Sequence, residues 1–175
     1  LDNAAVQKQF VTTESEGLLD KLEVQIEPYM LDNQIEEILQ NNNSNVLQVF
    51  KLIKPSTQKT YEEWLKQAQN KKTILAWHGT NEINILSIMQ SSLRVRPTVI
   101  AHGSMLGNAA YISQEWQKSR NYTSGQRKFM FIFNVHVGNE LLADTRAKIK
   151  PYTLQELEKL GYDSVYAPAR THTGW

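Results

Sequence analysis

The sequence predicts an α+β fold. Three observations predict it: strand-like and helix-like apolar stretches are interspersed along the chain, turn residues separate them, and no internal repeat orders them. With 175 residues and a hydrophobic share of 41%, the chain suits one domain with a real core.

The elements can be justified in order. Residues 1–40 are rich in Glu, Gln and Leu; residues 16–30 and 31–40 each read as a helix, with Pro28 as a break. The asparagine run at 41–45 reads as a loop, and the alternation of apolar and polar residues over 46–53 as a strand. Pro55-Ser56-Thr57 turns the chain, and a short helix follows with Thr60 as N-cap and Glu63 three residues on. Residues 73–77 are nearly all apolar, as in a strand central to a sheet. A helical stripe over 82–93 leads through a loop with Pro97, Gly103 and Gly107 to a short strand at 109–113. A helix opens after Ser113, and 128–137 is the strongest strand pattern of the chain. Thr153 and Gly161 bracket one more helix as cap and stop, and 163–167 closes the series as a strand.

Charge and cysteine usage narrow the function classes. The formal net charge is +1, so no overall field draws nucleic acid or acidic lipid. Lys71-Lys72 and Arg127-Lys128 read as solvated strand ends. There is no cysteine, which excludes disulfides, thiolate zinc sites and a cysteine nucleophile, and fits a reducing, intracellular compartment, nucleus or cytoplasm. No apolar run nears the ~18 residues of a membrane span, so no membrane partner is expected. The chain opens on Leu1 rather than Met, so an original N-terminus is expected upstream. His102, His136 and His172 are too scattered for a metal-ligand spacing, and no metal site is expected.

One corner carries more chemistry than a connector needs. Trp77-His78-Gly79-Thr80 ends the 73–77 strand just before a helix, combining an aromatic ring, an ionisable ring, a glycine and a hydroxyl. Such a set suits a flat, polar ligand. Downstream, residues 102–122 supply a glycine-bearing loop, Tyr111 on a short strand, then Lys118-Ser119 and Tyr122 on a helix. Singly, His78 reads as a satisfied core histidine, Tyr111 as a packing residue, and Ser119 and Tyr122 as ordinary helix residues. It is the ordered set that points to a site.

That set resembles the catalytic domain of the poly(ADP-ribose) polymerase family of ADP-ribosyltransferases. The family's His-Gly-Ser/Thr strand end stands here as His78-Gly79-Thr80, its glycine loop and tyrosine strand as Gly103 to Tyr111, and its Ser-Lys-Ser-x-x-Tyr helix as Gln117-Lys118-Ser119 with Tyr122. Tyr162-Asp163-Ser164-Val165 is similar to a late strand of the family. The resemblance covers residues 73–166. The loop departs from the pattern at Leu106, at Gly107-Asn108-Ala109 and at Ile112-Ser113-Gln114.

The resemblance implies split mixed or antiparallel β-sheets with flanking helices around an NAD cleft. Residues 41–175 would form this domain, with 1–40 a helical lead-in, regulatory or simply its edge. Gly79 would hold the nicotinamide carboxamide through its backbone, glycine allowing close approach, and the Ser119 hydroxyl would take the same amide. Tyr111 and Tyr122 would stack on opposite faces of the nicotinamide. His78 would hydrogen-bond the adenine-side ribose; Thr80, Asn84, Arg94 and Gly103 would complete the cofactor-binding set, with His78 and Tyr111 as the catalytic pair. The implied reaction transfers ADP-ribose from NAD, as substrate, to a protein acceptor (the chain itself included) or a nucleic acid, releasing nicotinamide.

The family also uses a glutamate on a strand after Tyr-Asp-Ser-Val. No acidic residue follows Asp163 here. Two expectations stand: the sequence stops short of that strand, or the protein is a weak mono-transferase or a non-catalytic NAD or ADP-ribose module. Glu115 and Asp163 are the available replacement carboxylates, and read instead as a helix-start charge and a strand-end residue. A third reading, an RNA 2′-phosphotransferase on a related fold, requires a basic RNA-facing surface that the charge pattern lacks.

Overall fold

The computed structural model describes residues 13–29, 33–40, 46–95 and 105–168. It divides into two compact units, residues 1–63 with 83–92, and residues 64–82 with 93–175.

The first unit begins with α1 (Thr13–Leu22) and β1 (Gln25–Pro28). A helix is expected from the sequence to run on to residue 30; the chain instead turns into a strand. The Val24 N–H bonds the Leu19 carbonyl and the Glu23 N–H that of Asp20, with Glu23 at φ 54. This is a Schellman closure on a non-glycine residue, so the usual glycine signal is missing. Beyond it, the alternation of Val24 and Ile26 suits a strand, and Val24 is buried with Leu22. β1 pairs antiparallel with β2 (Phe50–Ile53), from Gln25–Ile53 to Pro28–Phe50. Helix α2 (Asn33–Gln40) lies between them in sequence. Of the strand expected over 46–53, only the last four residues pair. Helix α3 (Pro55–Gln67) starts five residues before the expected cap. Pro55 takes the first helical position, where its fixed φ suits and its missing N–H is no loss. Thr60 is therefore inside the helix, its hydroxyl donating to the Ser56 carbonyl at 3.0 Å. The Lys54 ammonium donates to the last carbonyl of α1, Leu22, at 2.6 Å.

The second unit is built on β3 (Thr73–Gly79) and β4 (Met130–His136), antiparallel from Thr73–His136 to Gly79–Met130. On its other edge, β3 meets the expected 109–113 strand only at Ser113, where the two Trp77–Ser113 backbone bonds form an isolated bridge. Trp77 and Ala76 are buried. A 3-10 turn, Glu82–Asn84, leads the chain into α4 (Ile85–Ser91), whose residues belong to the first unit; in the second unit α5 (Trp116–Arg120) packs on β3. β5 (Glu140–Leu142) and β6 (Ser164–Tyr166) pair in parallel, joined by a crossover carrying α6 (Leu154–Leu160). α6 has the expected signals at both ends: a reciprocal capping box between Thr153 and Glu156, and Gly161 at φ 77. Among the described residues the sheets are small, three pairs of strands, two antiparallel and one parallel. No helix of the described residues is long and apolar enough to cross a membrane.

Candidate functional site

The β3 ladder decides which way its last backbone groups face. The Val137 N–H bonds the Lys72 carbonyl, so pairs to β4 are hydrogen-bonded at even positions, the last being His78–Phe131. Odd positions face the other edge, as Trp77 does in bonding Ser113 through both its N–H and its C=O. Extending that bridge antiparallel by one pair brings Tyr111 opposite Gly79. The bonds of that pair are not made. Instead the His78 ring occupies the Tyr111 carbonyl, with Nδ1 at 2.9 Å. The N–H and C=O of Gly79 face the gap without a hydrogen-bond partner among the described residues.

Because its partner is a carbonyl, His78 Nδ1 carries the proton, and its Nε2 offers a lone pair when the ring is neutral. Tyr111 is 38% exposed. Its hydroxyl donates to the Gly107 carbonyl at 2.8 Å and accepts from the Leu106 N–H at 3.0 Å, so the phenol fastens its own loop. Burial, the largest cause, pushes this phenol above its ordinary pKa, and nearby Tyr122 pushes the same way, against the lowering by the Leu106 and Gly107 bonds. The loop is also fixed from behind: the Tyr152 N–H bonds the Leu106 carbonyl at 2.9 Å. Gly107, at φ +107, leaves no room for a Cβ, which would lie 2.5 Å from the Tyr152 carbonyl oxygen.

Ser119 is the one buried polar residue among those described, 5% exposed. Its hydroxyl donates to the Trp77 carbonyl at 3.0 Å and keeps acceptor capacity. A Cβ on Gly79 would stand 1.7 Å from the Ser119 carbonyl oxygen. Glycine at 79 is thus demanded by the packing of α5 on β3; the space freed by the missing Cβ is filled by protein. Tyr122 follows α5 at 59% exposure, its N–H on the Ser119 carbonyl.

His78, Gly79, Tyr111 and Ser119 are therefore brought together, with Tyr122 beside them. Thr80 follows β3 directly, and Arg94 is exposed. Asn84 lies in the first unit, at the head of α4. Gly103 lies outside the described residues. Each of the two replacement carboxylates has a partner of its own. Asp163 accepts from the Asn139 N–H at 2.8 Å and packs on Gly138 at φ +54; Glu115 stands at the start of α5, 3.9 Å from Lys118. Among the described residues no group of three or more His, Cys, Asp or Glu could hold a metal. A surface concavity of about 530 Å³ lies elsewhere, beside Asn70, Lys72, Asn139 and Glu140. Its polar groups already satisfy one another, through Asn70–Asn139 and the Lys72–Glu140 ion pair. Sequence reasoning missed the loop fastening by Tyr152, and nothing local to Tyr152 signals it.

The family model of the poly(ADP-ribose) polymerase catalytic domain matches residues 26–172. The chain belongs to that family. It is 31% identical over 150 residues to a poly(ADP-ribose) polymerase-like protein of Invertebrate iridescent virus 6, covering 81% of this chain and 78% of the viral one. It is 33% identical over 102 residues to poly(ADP-ribose) polymerase 2 of Caenorhabditis elegans, covering 57% of this chain and 18% of that protein. The mixed helix-and-strand architecture accords with the ADP-ribosyltransferase fold of the poly(ADP-ribose) polymerase family, whose substrate is NAD.

Proposed function

We propose that the chain is an NAD-dependent ADP-ribosyltransferase, and that the gap between Gly79 and Tyr111 receives nicotinamide. One observation carries this reading: Gly79 presents an N–H and a C=O, unpartnered among the described residues, toward the edge of β3 that Tyr111 would extend, next to the Trp77 carbonyl that the Ser119 hydroxyl bonds. A carboxamide has the complementary pair. Its oxygen would accept from the Gly79 N–H, and its NH₂ would donate to the Gly79 C=O and to Ser119 Oγ. Tyr111 and Tyr122 would cover the two ring faces. His78, its Nδ1 committed to Tyr111, would accept a ribose hydroxyl at Nε2. Thr80 and Arg94 would serve the adenosine half and the pyrophosphate.

Holding the amide fixes the nicotinamide plane against the ribose, which is positioning catalysis. The ribose–nitrogen bond breaks, its electron pair neutralising the pyridinium, and the ribose carbon passes through an oxocarbenium-like centre as in glycoside hydrolysis. An acceptor nucleophile then bonds that carbon and releases a proton. No step calls for a metal. The acceptor in this reading is a protein, the chain itself included, with nucleic acid second, and the setting is intracellular.

A non-catalytic NAD or ADP-ribose module is the second reading, favoured by the partners that Asp163 and Glu115 already have, the Asn139 N–H and Lys118. Chromatographic assay of free nicotinamide after incubation with NAD separates the two. The transferase reading expects release that falls at least about a hundredfold in His78→Ala and Tyr111→Ala. NAD binding without release would favour the module, and release unchanged by either substitution would discard the site.

A further inference from the structure

The segment from Arg120 to Phe129 runs from the end of α5 into β4, and both of its flanks meet β3 at one residue. Ser119, just before it, presses its carbonyl on Gly79, and Met130, just after it, is the ladder partner of Gly79. Between them the loop carries Tyr122, more than half exposed. A loop tied only at its ends leaves such a ring free to sample many positions, and ordering it on ligand binding costs affinity.

The middle of the loop is tied as well. The Glu82 N–H donates to Ser124 Oγ at 3.2 Å. The Glu82 carboxylate lies over Gly125, where a Cβ would come within 2.8 Å of Oε2, and Gly125 itself sits at φ +82. On the near side, the Thr123 hydroxyl donates to the Arg120 carbonyl at 2.7 Å, and the Lys128 ammonium to the Thr123 carbonyl at 3.2 Å. Glu82 opens the 3-10 turn two residues after Thr80, so the fastening joins the strand end that bears His78 and Gly79 to the loop that bears Tyr122.

We propose that Glu82, Ser124 and Gly125 form a latch that holds Tyr122 at the Gly79 gap, making Ser124 and Glu82 positioning residues for NAD. The inference rests on the reading of that gap as the nicotinamide site. Pinning a loop at its midpoint replaces one long closure by two short ones and prepays the ordering of the ring. Neither residue is assigned a contact with NAD. Their effect runs through Tyr122.

Ser124→Ala removes the acceptor of the latch, and Ser124→Thr keeps it. The test measures NAD binding by calorimetry and amide hydrogen exchange over 120–129 in the wild type, both variants and Gly125→Ala. Ser124→Ala is expected to speed exchange in the loop and weaken NAD binding by about two- to tenfold, the worth of one hydrogen bond, with melting temperature little changed. Ser124→Thr should restore both. Gly125→Ala, strained at positive φ and crowding the carboxylate, should act at least as strongly as Ser124→Ala. Faster exchange with unchanged NAD affinity would overturn the positioning role, and unchanged exchange would overturn the latch itself. If the wild type takes up no NAD at all, the functional reading fails separately, and exchange alone decides whether the latch holds the loop.

Discussion

Tyr111 shows how one side chain can serve two tasks. On the proposed reading its ring covers nicotinamide, and its hydroxyl closes the 106–111 loop through Leu106 and Gly107. Tyr111→Phe separates the tasks, keeping the ring and dropping both bonds. At about 1 kcal/mol net for each of the two bonds, NAD affinity should fall by up to about thirtyfold, as calorimetry on the two proteins would reveal. Equal affinity would show that the loop needs no fastening. The same hydroxyl predicts a pH dependence. The phenol pKa is raised in the fold, burial being the main cause, so the neutral form is the favoured one. Its contribution is complete below the ordinary phenol value of about 10 and is lost as pH rises through the higher folded value. NAD binding followed from about pH 8 to 11 should therefore decline at the alkaline end more in the wild type than in Tyr111→Phe.

Elements, more than residues, set the geometry. The contact of α5 with β3 depends on Gly79, because the Ser119 backbone occupies the place of a Cβ. Gly79→Ala must push a backbone segment rather than a flexible side-chain tip. We expect a loss of about 1–3 kcal/mol in urea unfolding, together with weakened NAD binding. Retained stability would mean that α5 shifts at no cost. Much of this level is legible in the sequence. The nearly all-apolar stretch at 73–77 and the strong pattern at 128–137 form β3 and β4, and Thr153 and Gly161 mark the ends of α6. The departures have physical causes. The turn after α1 uses Glu23 where glycine is usual, so the helix pattern runs on into β1. The Thr60–Glu63 spacing imitates a cap, while Pro55 has already started α3. The 109–113 strand shrinks to one bridge because the Tyr111 carbonyl is bonded by a side chain rather than by β3.

For the molecule as a whole, the ordered set from His78 to Tyr122 is legible in the amino-acid sequence, because it combines several residue types in a fixed order. The fastenings around it are not. Leu106 to Tyr152, Glu82 to Ser124 and Gly79 to Ser119 join positions between 40 and 46 residues apart through groups, mostly backbone, that carry no sequence signature. Family membership gives the chemistry its class, and the proposal places that chemistry at the gap beside Gly79. On the proposed reading this location supports transfer and not binding alone. Its most direct test is the intact mass of the protein after incubation with NAD, beside His78→Ala treated identically. Transfer there predicts one or more ADP-ribosyl groups on the wild type and none on the variant. Adducts of equal extent on both proteins, or no adduct on the wild type with or without an added protein acceptor, would contradict it.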